Sequence, residues 1–161
     1  MGSTVRFIEE WYAQNRGGYA HRALGFSLVT WARWVEGQRD VKLRWESSYF
    51  DLVVRIIAED PRFLPDVETP PVQIERPVAW CTRAYGPDAV ADWMMIIEQG
   101  FGGYGPAQEA LGVGNGTWYR WADPAERRMP GVRRYVRTVA RIFEAGQAFS
   151  SLPRALWPTL V

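Results

Sequence analysis

The sequence predicts an all-α fold made of two helical units joined by a proline-rich linker, and three observations predict it. Apolar residues recur at three- and four-residue spacing in segments that stop at glycine, as amphipathic helices do. The segment ALGFSLVTWARW (Ala23–Trp34) returns as ALGVGNGTWYRW (Ala110–Trp121), sharing Ala, Leu, Gly, Thr, Trp, Arg and Trp at matched places. Between the copies, DPRFLPDVETPPVQIERP carries five prolines and little periodicity.

The repeat extends beyond this segment, and self-similarity of this kind sets the domain organisation. Gly17-Gly18-Tyr19 returns as Gly102-Gly103-Tyr104, and the helical stretch before it, Val5–Tyr19, matches Val90–Tyr104 in pattern more than in identity. Downstream, Tyr49, Val53, Arg55 and Ile56 meet Tyr135, Val139, Arg141 and Ile142. The reading is therefore unit 1 at 5–60, a linker at 61–89, unit 2 at 90–145 and a C-terminal arm at 146–161.

Unit 1 reads as helices over Val5–Gln14, Ala20–Leu24, Ser27–Glu36 and Glu46–Glu59. Unit 2 reads as Asp88–Glu98, Pro106–Leu111, Asn115–Ala122 and Pro130–Ala145. Glycines close the first helix of unit 2, and Pro106 sits in a first turn, where its missing N–H costs nothing. Gly25 and Gly112 each follow a leucine, where a tight turn between helices needs a positive φ. Trp31, Trp34, Trp118 and Trp121 repeat at three-residue spacing, which reads as core rather than as base-stacking platforms. The linker, extended at ~3.3 Å per residue, is long enough to span DNA half-sites ~34 Å apart. The arm, SSLPRALWPTLV, reads as an extended segment that packs on the body or on a second copy.

Composition bounds the function. The formal charge is +1, which excludes a strongly basic coat protein but not a DNA binder with one basic face. All but one of the 19 basic residues are arginine, the better fork for phosphate and guanine. Cys81 is the only cysteine, so neither an intrachain disulfide nor a cysteine zinc cluster is expected. The amino terminus lacks the apolar core of a signal peptide and no run approaches 18 apolar residues, which predicts a cytoplasmic protein with no membrane partner. His21 is the only histidine, and neither Gly-Gly-Tyr continues into a phosphate-loop Lys-Ser/Thr. An enzyme is not expected, nor a catalytic residue, a metal or a cofactor.

The short helix, glycine turn and second short helix, with Leu111, Gly112, Val113, Trp118 and Trp121 in unit 2 and Leu24, Gly25, Phe26, Trp31 and Trp34 in unit 1, resemble the helix-turn-helix of Cro- and lambda-repressor-like regulators. The resemblance covers about two-thirds of the chain. It departs from the family at the small residue four before the turn glycine, here His21 and Gln108, with Ala20 and Ala107 one place earlier. It implies that the third helix of each unit reads the major groove. The base-contacting candidates are then Asn115, Thr117, Tyr119 and Arg120 in unit 2, and Ser27, Thr30 and Arg33 in unit 1. Arginine can hold guanine with two hydrogen bonds and asparagine can do so for adenine, while the apolar face of unit 1 suits a thymine methyl or a protein.

Arg133, Arg137 and Arg141 recur at four-residue spacing, with Arg134 beside them and Arg127 and Arg128 just before. These are the phosphate-contacting candidates, whose affinity would fall with salt. Gly105–Arg141 holds seven arginines against three acids, a local +4, whereas Val5–Asp60 holds eight basic and eight acidic residues. The expected function is a sequence-specific double-stranded-DNA-binding transcriptional regulator, phage- or plasmid-like, whose tandem units act as a pseudo-dimer. The alternative is a protein-binding adaptor, antiterminator-like or terminase-small-subunit-like, in which unit 1 or the arm takes a protein partner or a second copy and unit 2 binds DNA.

Overall fold

The computed structural model describes residues 2–67, 87–123 and 129–146. Every regular element among them is helical: α1 (Gly2–Asn15), α2 (Ala20–Leu24), α3 (Leu28–Val35), α4 (Arg44–Glu59), a 3-10 turn (Pro61–Phe63), α5 (Pro87–Phe101), α6 (Tyr104–Leu111), α7 (Asn115–Ala122) and α8 (Pro130–Glu144). None of these helices is long and apolar enough to cross a membrane. The two halves of the chain thus carry the same order of four helices. The bounds of α2 and α7 coincide with those read from the sequence. The long helices run one to three residues further at several ends; the first helix of the second half continues through Gly100 to Phe101, both buried.

The turn after α2 and the turn after α6 are built alike. Gly25 (φ 85°) and Gly112 (φ 72°) adopt the left-handed conformation as C-caps. The next amide reaches back five residues in each case, Phe26 N–H to His21 O at 2.8 Å and Val113 N–H to Gln108 O at 2.9 Å. These bonds satisfy carbonyls that the helix end would leave orphaned. The small residue buried in each short helix is Ala20 or Ala107, fully covered, while His21 and Gln108 at the following position are half-exposed.

One hydrophobic core runs through both halves. In the first half, Phe26 is the hub of an aromatic cluster, 5.2 Å from Trp34 and 5.5 Å from Phe50 between ring centroids. In the second half the hub position is the smaller Val113, and α5 lies on α8 with Phe101 edge-on to Phe143 at 4.9 Å. The first buried tryptophan of each short helix after a glycine turn, Trp31 or Trp118, is tied to the first helix of its own half. Trp31 Nε1 donates to Glu9 Oε2 at 2.6 Å, and Trp118 Nε1 donates to Glu98 Oε1 at 2.8 Å. Such a bond satisfies a buried indole N–H and fixes how α3 sits on α1 and α7 on α5.

The halves meet directly. Tyr49 of α4 stacks on Tyr135 of α8 with centroids 4.8 Å apart and planes 22° apart. Trp45 packs edge-on to Trp121 at 5.7 Å. A Cβ added at Gly25 would lie 2.5 Å from Gly131 N and Arg134 Nη1 and 2.6 Å from Pro130 C; one at Gly112 would lie 2.5 Å from Ser48 Oγ and 2.9 Å from Arg44 O. Burial pushes the Tyr135 phenol up, well above the ordinary tyrosine range. It stays protonated and donates to Leu111 O at 3.2 Å.

After α4 the chain stays on the body. Asp60 caps the 3-10 turn by accepting from Arg62 N–H, and Phe63, Leu64 and Pro65 are buried, with Tyr12 Oη donating to Pro65 O at 2.7 Å. The rest of the segment read as linker, 68–86, and nearly all of the arm, 147–161, lie outside the described residues.

Gly25→Ala and Gly112→Ala are expected to destabilise the protein by about 2–5 kcal/mol each. The left-handed conformation costs a non-glycine residue about 1–2 kcal/mol, and overpacking against the facing helix adds about 1–3 kcal/mol. At about 2–4 °C per kcal/mol for a chain of this size, thermal unfolding should show a Tm lower by several degrees. A Tm unchanged from wild type for either variant would contradict the close approach.

Candidate nucleic-acid interface

Each short helix that follows a glycine turn turns two tryptophans inward and leaves its other side to solvent. In α3, Trp31 and Trp34 are buried, and Leu28 and Val29 are each 62% exposed. Ser27 is the N-cap; its hydroxyl accepts from Thr30 N–H at 3.3 Å and donates to Thr30 Oγ1 at 3.0 Å. A serine cap of this kind stabilises a helix by about 1 kcal/mol. Ser27 and Thr30 are therefore occupied in starting the helix, and Arg33, one turn on, is exposed.

In α7, Trp118 and Trp121 are buried, while Asn115, Tyr119 and Arg120 are exposed and Thr117 is half-exposed. The cap position is Gly114, which offers no side chain. Two hydrogen bonds organise the outer side instead. Gln108 Nε2 donates to Asn115 Oδ1 at 3.0 Å, and Arg120 Nη2 donates to Thr117 Oγ1 at 3.1 Å. The first links the two helices of the pair across the turn. The second lays the guanidinium along the helix, leaving its other N–H groups available.

The structure brings the four α7 candidates onto one element and the three α3 candidates onto another. The basic stripe divides. Arg137 and Arg141 are exposed on α8, whereas Arg133 and Arg134 are half-buried. Arg134 is drawn into the contact between the halves, with Nη1 over Gly25. The spacing of Arg133, Arg137 and Arg141 shows a shared face, but how deeply that face sinks at its first turn depends on the other half of the chain. Arg127 and Arg128 lie outside the described residues.

Reading the sequence left out three contributors. Gln108 holds Asn115, and Glu9 and Glu98 hold the tryptophans on which the outward helices rest. Gln108 had a faint signal, a long amide standing where the resembling family has a small residue. The glutamates had none, because the Glu9 and Glu98 positions do not coincide when the two repeats are aligned. Another exposed aromatic pair does coincide: Tyr19 and Tyr104, 60% and 55% exposed, stand at the start of α2 and α6. Tyr19 takes φ 64°, the left-handed region that disfavours a bulky side chain, and Arg22 lies over its ring at 5.7 Å.

No family model, curated protein or solved structure matches the chain.

Gly116 lies inside α7, and a Cβ there would meet nothing within 4 Å. Gly116→Ala should therefore stabilise the protein, by up to about 1 kcal/mol from helix propensity alone. Denaturant unfolding checks this; a loss of stability would mean that α7 is held in another conformation.

Proposed function

We propose that the chain is a sequence-specific double-stranded-DNA-binding regulator, phage- or plasmid-like, whose two halves are repressor-like helix-turn-helix units acting together as a pseudo-dimer. The observation that carries this reading is the repeated pair of helices around Gly25 and Gly112, each with its tryptophans inward and its intervening residues outward. A short exposed helix of this width fits the major groove, which is ~12 Å wide. On α7, Arg120 is placed to hold guanine O6 and N7, Asn115 to pair with adenine, and Thr117 and Tyr119 to complete the contact. On α3, Arg33 does the same work beside Ser27 and Thr30, and Leu28 and Val29 suit thymine methyls.

Phosphate contact falls to Arg137 and Arg141, with Arg133 at the buried end of the stripe and Arg127 and Arg128 just before the helix. Arg134 is assigned to packing between the halves. Two readers on one chain raise selectivity without a second subunit, because the second contact becomes intramolecular once the first is made. A solvated cytoplasmic setting and the absence of any cofactor accompany this reading.

Arg120→Ala is expected to weaken specific duplex binding by about 1–3 kcal/mol and to relax the choice at one base pair. Arg141→Ala should weaken all duplexes alike and reduce the salt slope by about 1. Titrations at several salt concentrations separate the two; unchanged affinity in both variants would remove these residues from the interface.

The 62% exposure of both Leu28 and Val29 also favours a second reading, an adaptor in which α3 takes a protein partner and α7 takes DNA. Leu28→Asp discriminates, since an acid in a first helical turn is tolerated by the helix dipole but repelled by phosphates. Weaker duplex binding by this variant supports two DNA-reading halves, and unchanged binding supports the adaptor.

A further inference from the structure

The contacts between the halves are reciprocal, and reciprocity fixes a symmetry. In an isologous interface residue i of one unit touches residue j of the other while j of the first touches i of the second. Gly25 approaches Pro130 and Arg134, and Gly112 approaches Arg44 and Ser48. In the repeat, Gly25 corresponds to Gly112, Arg44 to Pro130 and Ser48 to Arg134. The same two contacts are therefore made in both directions. Tyr49 and Tyr135 also correspond, and they stack on each other. A residue can face its own counterpart only on or beside a two-fold axis. Units related by translation along the chain would bring unlike positions together, and the two glycine turns would meet different surfaces.

We infer that an internal pseudo-two-fold axis passes between Tyr49 and Tyr135, so that one chain binds an inverted repeat of two unlike half-sites rather than a direct repeat. This rests on the DNA-binding reading above and goes beyond it in fixing the orientation of the target and its inequality. A duplex has its own two-fold axes, and a protein dyad aligned with one of them sets half-sites in opposite senses. The half-sites differ because part of the outward set differs, although Thr30 and Arg33 correspond to Thr117 and Arg120. Leu28 and Val29 face outward where α7 has Asn115 and Gly116 at the corresponding positions. Arg33 and Arg120 correspond and give each half an arginine contact, while Leu28 and Val29 add thymine methyls under α3 and Asn115 adds a purine edge under α7. The contact that creates the axis is buried, so the halves are held at a fixed spacing and no second chain is needed.

The test starts from selection of the full chain on a random duplex library. The two enriched half-sites are then rebuilt in synthetic duplexes as inverted and as direct repeats at the selected spacing. The inverted arrangement should bind at least about tenfold more tightly, since reversing one half misplaces several base pairs at a cost for each. Native mass spectrometry should show one chain per duplex. Equal or tighter binding to the direct repeat, a motif with only one half, or two chains on a perfect palindrome would each overturn the inference while leaving DNA binding standing. No enrichment of any duplex would overturn the DNA-binding reading itself.

Discussion

The stack of Tyr49 on Tyr135 is the contact on which the rest of the molecule depends. Each ring is fully or almost fully buried, so each removes roughly 150–250 Å² from water, and an offset pair contributes about 0.5–1.5 kcal/mol beyond that burial. The stack has room only because both glycine turns let a facing helix come close. A side chain at Gly25 or Gly112 would strike the first turn of the opposite long helix. The turn that aims each outward helix is thus also the surface on which the other half rests. Anything that tilts one turn shifts the opposite helix, so the two exposed faces are positioned by one set of contacts.

Much of the architecture was legible in the sequence, and what was not has a physical reason. Local periodicity and glycine chemistry locate α2, α7 and the turns, because these signals operate within one helical turn of chain. The repeat marks part of the core: Trp31 with Trp118 and Leu24 with Leu111 correspond and are buried in both halves, whereas Leu28 and Val29 are replaced by Asn115 and Gly116, and all four are exposed. Contacts between distant segments leave no such trace. Tyr49 and Tyr135 were visible as matched apolar positions, but nothing local says that they face each other rather than their own helices. The same limit hid the burial of Arg134, which on its own helix looks like one more member of a basic stripe. Phe63, Leu64 and Pro65 lay in a proline-rich stretch whose composition suggests a spacer, yet three consecutive apolar residues after a capped turn have enough surface to hold it to the body.

Within the candidate interface, the two halves keep one frame and put different chemistry on it. The frame is the buried tryptophan pair and the glutamate that accepts a hydrogen bond from one indole N–H, reached from positions that do not coincide in the two first helices. Both outward helices carry an exposed arginine, Arg33 or Arg120, beside which α3 is apolar and α7 polar, and the local charge is neutral across Val5–Asp60 and positive across Gly105–Arg141. Opposite demands act on the two kinds of position. Buried sites answer to packing, where a change of one methylene is felt, and exposed ones are free to differ at little cost in stability. A single chain therefore presents two unequal surfaces, which a symmetric dimer of identical subunits does not.

The central claim, that the two halves form one body through the tyrosine stack and the glycine turns, is tested most directly by calorimetry of the full chain. One transition is expected, with calorimetric and van't Hoff enthalpies equal, because the two halves share one hydrophobic core. Two resolved transitions, or a calorimetric enthalpy well above the van't Hoff value, would mean that the halves unfold independently and would contradict it.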